Sequence, residues 1–451
     1  MENILYAGFG RENITPDFSV PLAGYGSTHE RMSQNILSQI YATCIALRQG
    51  DTTVLLFSQD LIRAYWPWTL ELRQRLSEKT GIAEGFIHIC STHTHSAPDI
   101  LSNLPCITED YRRLYMEKLE AAAVAALADL APATLQGTRT QTERMNFIRH
   151  YLLENGTYAG PNFGDFKSAP IVGHAAANDP EMLIAKLERT EKPSILLVNF
   201  QVHPTATGGG KRTDLSADFV GVARDNVEAA TGMYFAYFTG AAGNQVIGSQ
   251  IAAERGGMTV EQYRTVGGGN YLIFGWRLAQ YVLKALPGLT KMASDKLQLA
   301  TTELTYATNR EDLHLLEEAK EMRRIRSEEG MAAANAYGRP LGISSVYHAW
   351  AIISRQDREA TYTMELNAVR IGDLGFVTLP YEAFCAHGVY IKEKSAFPMT
   401  MIFSCANTGW NYIPTAEAYD YGCYESCTSI FAKGAGEVAA QKLTEMLNSL
   451  K

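Results

Sequence analysis

Short runs of apolar, β-branched and aromatic residues recur along the chain and alternate with longer segments that have helical periodicity. The apolar runs are TVLLFS (53–58), FIHI (86–89), SILLVNFQVH (194–203), YFAYF (234–238), LGFVTLP (374–380) and MTMIFS (399–404). The helical segments lie at about 66–79, 109–130, 217–230, 270–285, 311–328 and 429–449. Because strand and helix signals alternate along most of the chain, the sequence predicts a mixed α/β fold.

One domain is predicted in spite of the chain's 451 residues, a length that by itself suggests about two or three domains. No tandem repeat and no linker rich in Pro or Ser divides the sequence. The stretch NREDLHLLEEAKEMRRIRSEEG (309–330) is typical of a solvated helix. We therefore predict a single domain over residues 1–451, with a helical insertion at about 305–345.

Charge and hydropathy exclude two classes of function. The formal net charge is −8 and no basic block occurs, so the chain is a poor match for nucleic-acid binding. The start, MENILYAGFGRENITP, lacks the basic and apolar regions of a signal peptide, and no apolar stretch approaches the roughly 18 residues of a membrane span. Seven scattered cysteines favour a reducing compartment. We expect a cytoplasmic protein without a membrane span.

The stretch STHTHSAPD (91–99) follows an apolar run and places His93 and His95 two positions apart. If the segment stays extended, side chains at this spacing project from the same face. Such a pair can bind a metal, transfer a proton or have neither role. For an isolated His-x-His motif, ordinary loop histidines are the more common case.

Two other predicted strands end in possible metal ligands. His203 ends NFQVH just before a proline, and Glu382 follows LGFVTLP, where a buried carboxylate needs a cation as its partner. Each has an ordinary alternative, since His203 could be a core histidine and Glu382 could lie in a first helical turn. Two imidazoles and one carboxylate are the ligands of many hydrolytic zinc sites. With His93, these residues predict a metal centre in which one histidine of the His93 and His95 pair could hold the metal while its neighbour transfers protons.

The order of the motifs resembles that of the neutral/alkaline non-lysosomal ceramidases, zinc-dependent amidases that cleave the N-acyl bond of ceramide. The similarity is most specific at STHTHSAPD and is scattered over most of the chain. Its other segments are GFGRENITP, VPLAGYG, RMSQNILSQIYATCIAL, VLLFSQDL, VHPTATGG, LSADFVG, FTGAAGN, LPYEAF and NYIPTAEAYDYGCYE. The resemblance implies the mixed-sheet α/β fold of the ceramidase N-terminal domain.

The resemblance also implies roles for individual residues. It implies four ligands for one zinc ion per chain: His93, His203, Glu382 and Tyr412. It implies three catalytic residues: His95 as general base, Tyr424 beside the scissile carbonyl, and Arg149 of MNFIRHY facing the negative charge. Arg144 is the alternative to Arg149. Asp60 and Asp218 could orient the ligand histidines, although an ordinary structural role is as common for such residues.

Two departures from the family change the expected mechanism and the expected substrate. The segment GAAGNQVIG places Asn244 and Val246 where ceramidases carry an acid and a serine, so this position supplies no serine nucleophile or serine oxyanion donor. After YESCTSIFAKGAGE the chain forms one last predicted helix and ends, which leaves no room for a C-terminal immunoglobulin-like domain. We therefore expect a small, soluble N-acylated substrate in place of ceramide.

The predicted function is zinc-dependent hydrolysis of a C–N amide bond in such a substrate. One alternative is a zinc esterase or lactonase, which uses the same groups, and another is a noncatalytic binding relative. The predicted partner is a small molecule, and the oligomeric state does not follow from the sequence. Specificity is expected to come from loops at 99–108, 150–180, 246–270 and 328–348.

Overall fold

The structure is a computed structural model that describes residues 4–25, 31–101, 105–207, 212–247 and 269–451. The first strands are β1 (Leu5–Asn13), β2 (Asn35–Ile36), β3 (Tyr41–Gln49), β4 (Thr52–Gln59), β5 (Ile87–Ser91), β6 (Ala131–Gln141), β7 (Phe147–Ile148) and β8 (Tyr151–Leu153). Next come β9 (Tyr158–Ala159), β10 (Ile171–His174), β11 (Glu181–Arg189), β12 (Ile195–Phe200), β13 (Asp214–Leu215), β14 (Tyr234–Thr239) and β15 (Gln245–Val246). The last are β16 (Thr290–Met292), β17 (Leu297–Ala307), β18 (Thr361–Ile371), β19 (Leu374–Thr378), β20 (Tyr381–Ala383), β21 (Met399–Phe403) and β22 (Trp410–Ile413).

The α-helices lie between these strands and after them. The first six are α1 (Trp66–Thr80), α2 (Pro105–Ala128), α3 (Asp218–Thr231), α4 (Tyr271–Ala285), α5 (Leu316–Glu329) and α6 (Met331–Gly338). The others are α7 (Val346–Arg355), α8 (Cys385–Lys394), α9 (Ala416–Asp420), α10 (Tyr424–Thr428) and α11 (Ala435–Asn448). Within the described ranges, no helix combines the length and the apolar composition needed to cross a bilayer.

A nine-stranded central sheet organises the fold. Its strand order is β14-β12-β11-β6-β1-β3-β4-β5, and β16 pairs with β6. The two end pairs, β12 with β14 and β4 with β5, are parallel, whereas the other neighbours are antiparallel. The mixed α/β fold predicted from the sequence is therefore confirmed.

A second sheet, in the order β17-β18-β19-β21, packs on one face of the central sheet. The rings of Phe238 and Phe403 stack between the two sheets with their centres 4.2 Å apart. Helices cover the outer faces, with α1 to α4 on the central sheet and α11 on the second sheet. Because β4, β5 and β12 lie between two layers, both of their faces are buried, which explains their continuous apolar sequences.

The helices α5, α6 and α7 lie between β17 and β18, which pair with each other as antiparallel neighbours. These helices share a cluster of buried side chains that includes Met322, Ala334 and Ile352. The helical region extends to Arg355, beyond the predicted end at about 345. The division into one domain with an insertion here stays a prediction.

A histidine inside this helical region makes the stability of the fold depend on pH. Nε2 of His348, on α7, lies 3.1 Å from Oδ2 of Asp312. Burial opposes the charge, but the hydrogen bond to Asp312 raises the pKa of His348 to about 9. Since the pKa of an unfolded histidine is about 6.5, the pair stabilises the fold fully below pH 6.5 and loses this effect as pH rises through 9.

We expect His348→Gln to lower the free energy of unfolding by about 2 kcal/mol at pH 6 relative to the wild type, and by less at pH 9. Urea denaturation at pH 6, 7.5 and 9 measures the difference, and Asp312→Asn should reproduce the trend. A difference between wild type and variant that stays constant over this range would contradict the prediction.

Candidate functional site

Segments that follow two strands of the central sheet meet a short two-stranded sheet at one place. His93 and His203 lie in the loops after β5 and β12. Glu382 lies in β20, which pairs in parallel with β22, so that Glu382 stands opposite Tyr412. The imidazoles and the carboxylate are buried. His93 and Glu382, nearly 300 positions apart in the sequence, are thus neighbours in the fold.

The backbone at His93 differs from the extended path that the sequence predicts. β5 ends at Ser91, and His93 has a φ of 72°, in the left-handed region that residues other than glycine rarely adopt. Its amide N–H donates to the carbonyl of Leu61 at 2.9 Å, which holds the turn. The segment does not stay extended, so the condition under which His93 and His95 would project from one face of a strand is not met. The turn nevertheless brings their Nε2 atoms to 3.4 Å.

Backbone carbonyls orient all three imidazoles of the site. The Nδ1 atoms donate to three carbonyl oxygens: His93 to Ile62 at 2.6 Å, His95 to Gly24 at 3.0 Å and His203 to Gln245 at 3.1 Å. Because a carbonyl oxygen only accepts, each Nδ1 carries a proton, and each Nε2 is left to bind a metal or a second proton. One ring nitrogen from each histidine lies within 4.8 Å of the other two.

Glu382 adds a carboxylate to the three imidazoles. Its Oε2 atom lies 3.3 Å from Nε2 of His93 and 3.2 Å from Nε2 of His203. Ligand atoms at about 2.0–2.1 Å around a tetrahedral zinc ion are about 3.3 Å apart. The separations in this cluster, from 3.2 to 3.4 Å, therefore fit a set of zinc ligands.

The protonation of the cluster reflects its burial and its charges. Burial by itself lowers the pKa of His93, but Cys405 and Glu382 raise it to about 10. Burial opposes ionisation of Glu382, but His93 and His203 hold its pKa well below the usual range. Burial, together with His93 and His203, lowers the pKa of His95 well below its ordinary value. One cation on His93 therefore balances Glu382, and a metal ion can take the place of that proton.

Two tyrosines and an arginine lie next to the cluster. The ring centres of Tyr412 and Tyr424 are 5.9 Å apart, and the guanidinium carbon of Arg149 lies 5.3 Å from the Tyr412 ring centre. Burial and the Glu382 carboxylate raise the pKa of Tyr412 well above its ordinary value, and burial raises the pKa of Tyr424 to about 12. Both phenols are therefore protonated at neutral pH and can donate hydrogen bonds.

A buried carboxylate that the sequence did not suggest holds Arg149. Glu425 accepts a hydrogen bond from Nε of Arg149 at 2.5 Å and another from Nε2 of His150 at 2.8 Å. The hydroxyl of Tyr421 lies 2.9 Å from the second ring nitrogen of His150. Burial opposes the charge of Glu425, but Arg149 and His150 lower its pKa to about 2. The only signal in the sequence was that Glu425 and His150 adjoin the predicted residues Tyr424 and Arg149.

A cavity of about 430 Å³ opens onto the cluster. Four predicted site residues line it: His95, Glu382, Tyr412 and Tyr424. Much of its remaining wall comes from segments 62–65 and 408–412, which were not among the predicted specificity loops. Of those loops, 99–108 contributes to the wall, and most of 246–270 lies outside the described residues. A more open depression of about 790 Å³ lies between α5 and α7 and contains none of the predicted site residues.

Other residues considered from the sequence lie outside this cluster. Arg144 is exposed in the turn before β7, so the contacts with Tyr412 belong to Arg149. Asp60 pairs with Arg224 at 2.8 Å, and Asp218 accepts from the backbone and hydroxyl of Thr207. The two carboxylates therefore have structural roles, and backbone carbonyls orient the ligand histidines in their place.

Comparison with known proteins extends these observations to the whole fold. No family model and no curated protein matches the sequence. Two solved structures are similar: the neutral ceramidase from Pseudomonas aeruginosa and a ceramidase complexed with C2. Each is 16% identical, with a TM-score of 0.72, over 100% of this chain and 75% of the other. The chain thus has the fold of the neutral ceramidases.

Proposed function

We propose that this protein is a zinc-dependent hydrolase that cleaves the C–N amide bond of a small N-acylated substrate. The observation that carries the proposal is the orientation of three buried imidazoles, whose Nδ1 atoms donate to carbonyls while their Nε2 atoms converge on each other and on Glu382. A hydrogen-bonded core would leave no such group of nitrogens facing one another. The similarity of the fold to ceramidases supports the same class of reaction.

Four residues would hold the metal: His93, His203, Glu382 and Tyr412. When bound, zinc supplies a Lewis acid and lowers the pKa of water to about 7. The carbonyls of Ile62 and Gln245 fix the rings of His93 and His203 and thereby present Nε2 to the ion. The 3.4 Å separation of His93 and His95 would also suit His95 as a ligand in place of Tyr412, and the two assignments predict different zinc contents for variants.

The other residues supply proton transfer and charge stabilisation. His95 is neutral because its pKa is low, so its Nε2 can accept a proton from the attacking water and deliver it to the leaving nitrogen. Gly24 keeps Nδ1 of this ring in its hydrogen bond throughout. Arg149 and the hydroxyl of Tyr424 face the negative charge that develops on the carbonyl oxygen of the substrate.

Replacing His95 with alanine tests the role of this residue and the class of reaction together. We expect His95→Ala to retain about one zinc ion per chain and to lose about 100-fold or more in amide hydrolysis, because the proton for the amine is no longer supplied. Hydrolysis of a matched ester should fall less, since an alkoxide leaves without full protonation. Elemental analysis of protein purified without added zinc and parallel assays of the amide and the ester measure these effects.

Three results would redirect the proposal. Loss of zinc from His95→Ala would make His95 a ligand. Ester cleavage without any amide cleavage by the wild type, unaffected by His95→Ala, would identify an esterase or lactonase. A well-folded wild type that holds no zinc and hydrolyses neither substrate would identify a noncatalytic binding protein.

A further inference from the structure

Two arginines line the cavity away from the zinc ligands. Arg63 lies in the segment between β4 and α1, and Arg358 lies between α7 and β18. Both side chains are half-buried. Because the two residues come from distant parts of the chain, the fold brings two guanidinium groups to the wall of one small cavity.

Neither arginine has a carboxylate partner within 4 Å among the described residues. Several buried arginines of this chain pair with a carboxylate, as Arg73 does with Glu365 at 2.9 Å, whereas Arg31 and Arg370 contact backbone carbonyls. Nε of Arg63 and Nη1 of Arg358 are shielded from solvent and have no hydrogen-bond partner in the described part of the chain, which also holds for Nε of Arg224 and Arg355. A guanidinium group that is partly removed from water and has no carboxylate partner is costly to keep charged, so two such groups beside one cavity favour an external anion.

Contacts with neutral groups hold the two side chains in place. Nη1 of Arg63 is 3.5 Å from the carbonyl of Gly409, and a Cβ at Gly409 would lie 2.2 Å from Cβ of Arg63. Glycine at this position therefore makes room for Arg63. Nη2 of Arg358 donates to Oγ of Ser354 at 2.9 Å, and burial together with Arg355 lowers the pKa of Arg358.

The charge of the cavity wall is positive outside the zinc cluster. Asp99 also lines the cavity, but its Oδ1 accepts from the backbone N–H of Leu101, and it is not within 4 Å of either arginine. Outside the zinc cluster, the described charged residues that line the cavity are therefore two arginines and one aspartate. Neutral polar side chains, such as those of Thr408 and Thr428, occupy other parts of the wall.

We propose that the substrate is an acylated amine that also carries a carboxylate or phosphate group, and that Arg63 and Arg358 bind this anion. The inference rests on the proposed hydrolase function and specifies the substrate class of the same site. A guanidinium group binds either oxyanion through two parallel hydrogen bonds, which makes arginine selective for such groups. A cavity of about 430 Å³ is at the small end of ligand sites, which suits a compact anion.

Matched pairs of compounds test the charge requirement. N-acetyl-L-phenylalanine is compared with its carboxamide, and N-acetylglucosamine 6-phosphate with N-acetylglucosamine, which also separates carboxylate from phosphate binding. We expect kcat/KM to be about 100-fold higher for the charged member of at least one pair. This difference agrees with the binding free energy that is lost when one partner of a buried charge pair is removed. Equal or better hydrolysis of both neutral members would overturn the proposal.

Substitution of the arginines then tests their part in binding. Arg63→Gln and Arg358→Gln should each lower kcat/KM for the charged compound at least tenfold, mainly through KM, and leave the neutral compound within twofold. Arg358→Lys should retain part of the kcat/KM for the charged compound that Arg358→Gln loses. The control variant Arg323→Gln, on the exposed face of α5, should leave kcat/KM for both compounds unchanged. Unchanged selectivity for the charged compound in the glutamine variants would contradict the assignment of the two arginines. If one variant does not fold, the selectivity of the other decides the test.

Calorimetric titration separates this inference from the proposed function. The same four compounds are titrated into the metal-free wild type, in which no turnover occurs. Tighter binding of a charged member, lost in Arg358→Gln, supports anion recognition even if no compound is hydrolysed by the zinc-loaded protein. Equal binding of the charged and neutral members overturns the inference of anion recognition, even if the neutral amides are hydrolysed.

Discussion

If the proposed zinc site is correct, replacing His203 with alanine is expected to remove the metal and to lower the proposed amide hydrolysis about 1000-fold, the effect of about 4 kcal/mol of lost stabilisation. The Nε2 atom of His203 lies 3.2 Å from Oε2 of Glu382, and its Nδ1 is fixed by the carbonyl of Gln245. Alanine removes a ligand and leaves Glu382 with fewer partners. Zinc content by elemental analysis and initial rates at saturating substrate measure the two effects.

A histidine outside the cluster provides the matched control for this substitution. His174, at the end of β10, is exposed, and His174→Ala should keep both the zinc and the rate. Circular dichroism and a thermal melt establish that both variants are folded. If His203→Ala retains a full complement of zinc, the proposed ligand set is wrong and only the similarity of the fold to ceramidases remains.

Replacing Glu425 with glutamine is expected to impair both stability and catalysis, because it neutralises the carboxylate that holds Arg149. The pair is buried, and removal of one partner leaves a guanidinium group without its counter-charge. Breaking such a pair destabilises a protein by about 3 kcal/mol. Since Arg149 is proposed to face the developing oxyanion, we expect kcat to fall about 100-fold, the effect of losing one oxyanion donor, with little change in KM.

Stability and catalysis can be separated in this variant. Rates measured well below the melting temperature report on the folded fraction, and urea denaturation gives the free energy of unfolding. Glu417→Gln, an exposed glutamate on α9, should alter neither. In a double-mutant cycle, Arg149→Gln and Glu425→Gln should have non-additive effects on kcat, because they act through one interaction. Fully additive effects, or a change in stability alone, would mean that Glu425 does not position Arg149 for catalysis.

Several strands buried on both faces were predictable from the sequence, although the largely buried β3 was not, and the half-exposed β6 was missed. β4, β5 and β12 are continuous apolar runs because layers cover them on both sides. β6, in contrast, alternates buried and exposed residues in the sequence APATLQGTRTQ and has no apolar run. The long helices α3 and α4 agree with the predicted segments to within about one residue, because their periodicity extends over several turns.

The sequence by itself determined the fold class and the candidate ligands, because a histidine or carboxylate after an apolar strand is a local feature. Only the tertiary structure decided how these groups are arranged. It put His93 in a left-handed turn, directed its Nδ1 to the carbonyl of Ile62, placed Glu425 behind Arg149 and left Nε of Arg63 without a hydrogen-bond partner among the described residues. Those properties depend on contacts between segments far apart in the chain. Spacing along the sequence carries no information about such contacts, because packing of the sheets and loops creates them.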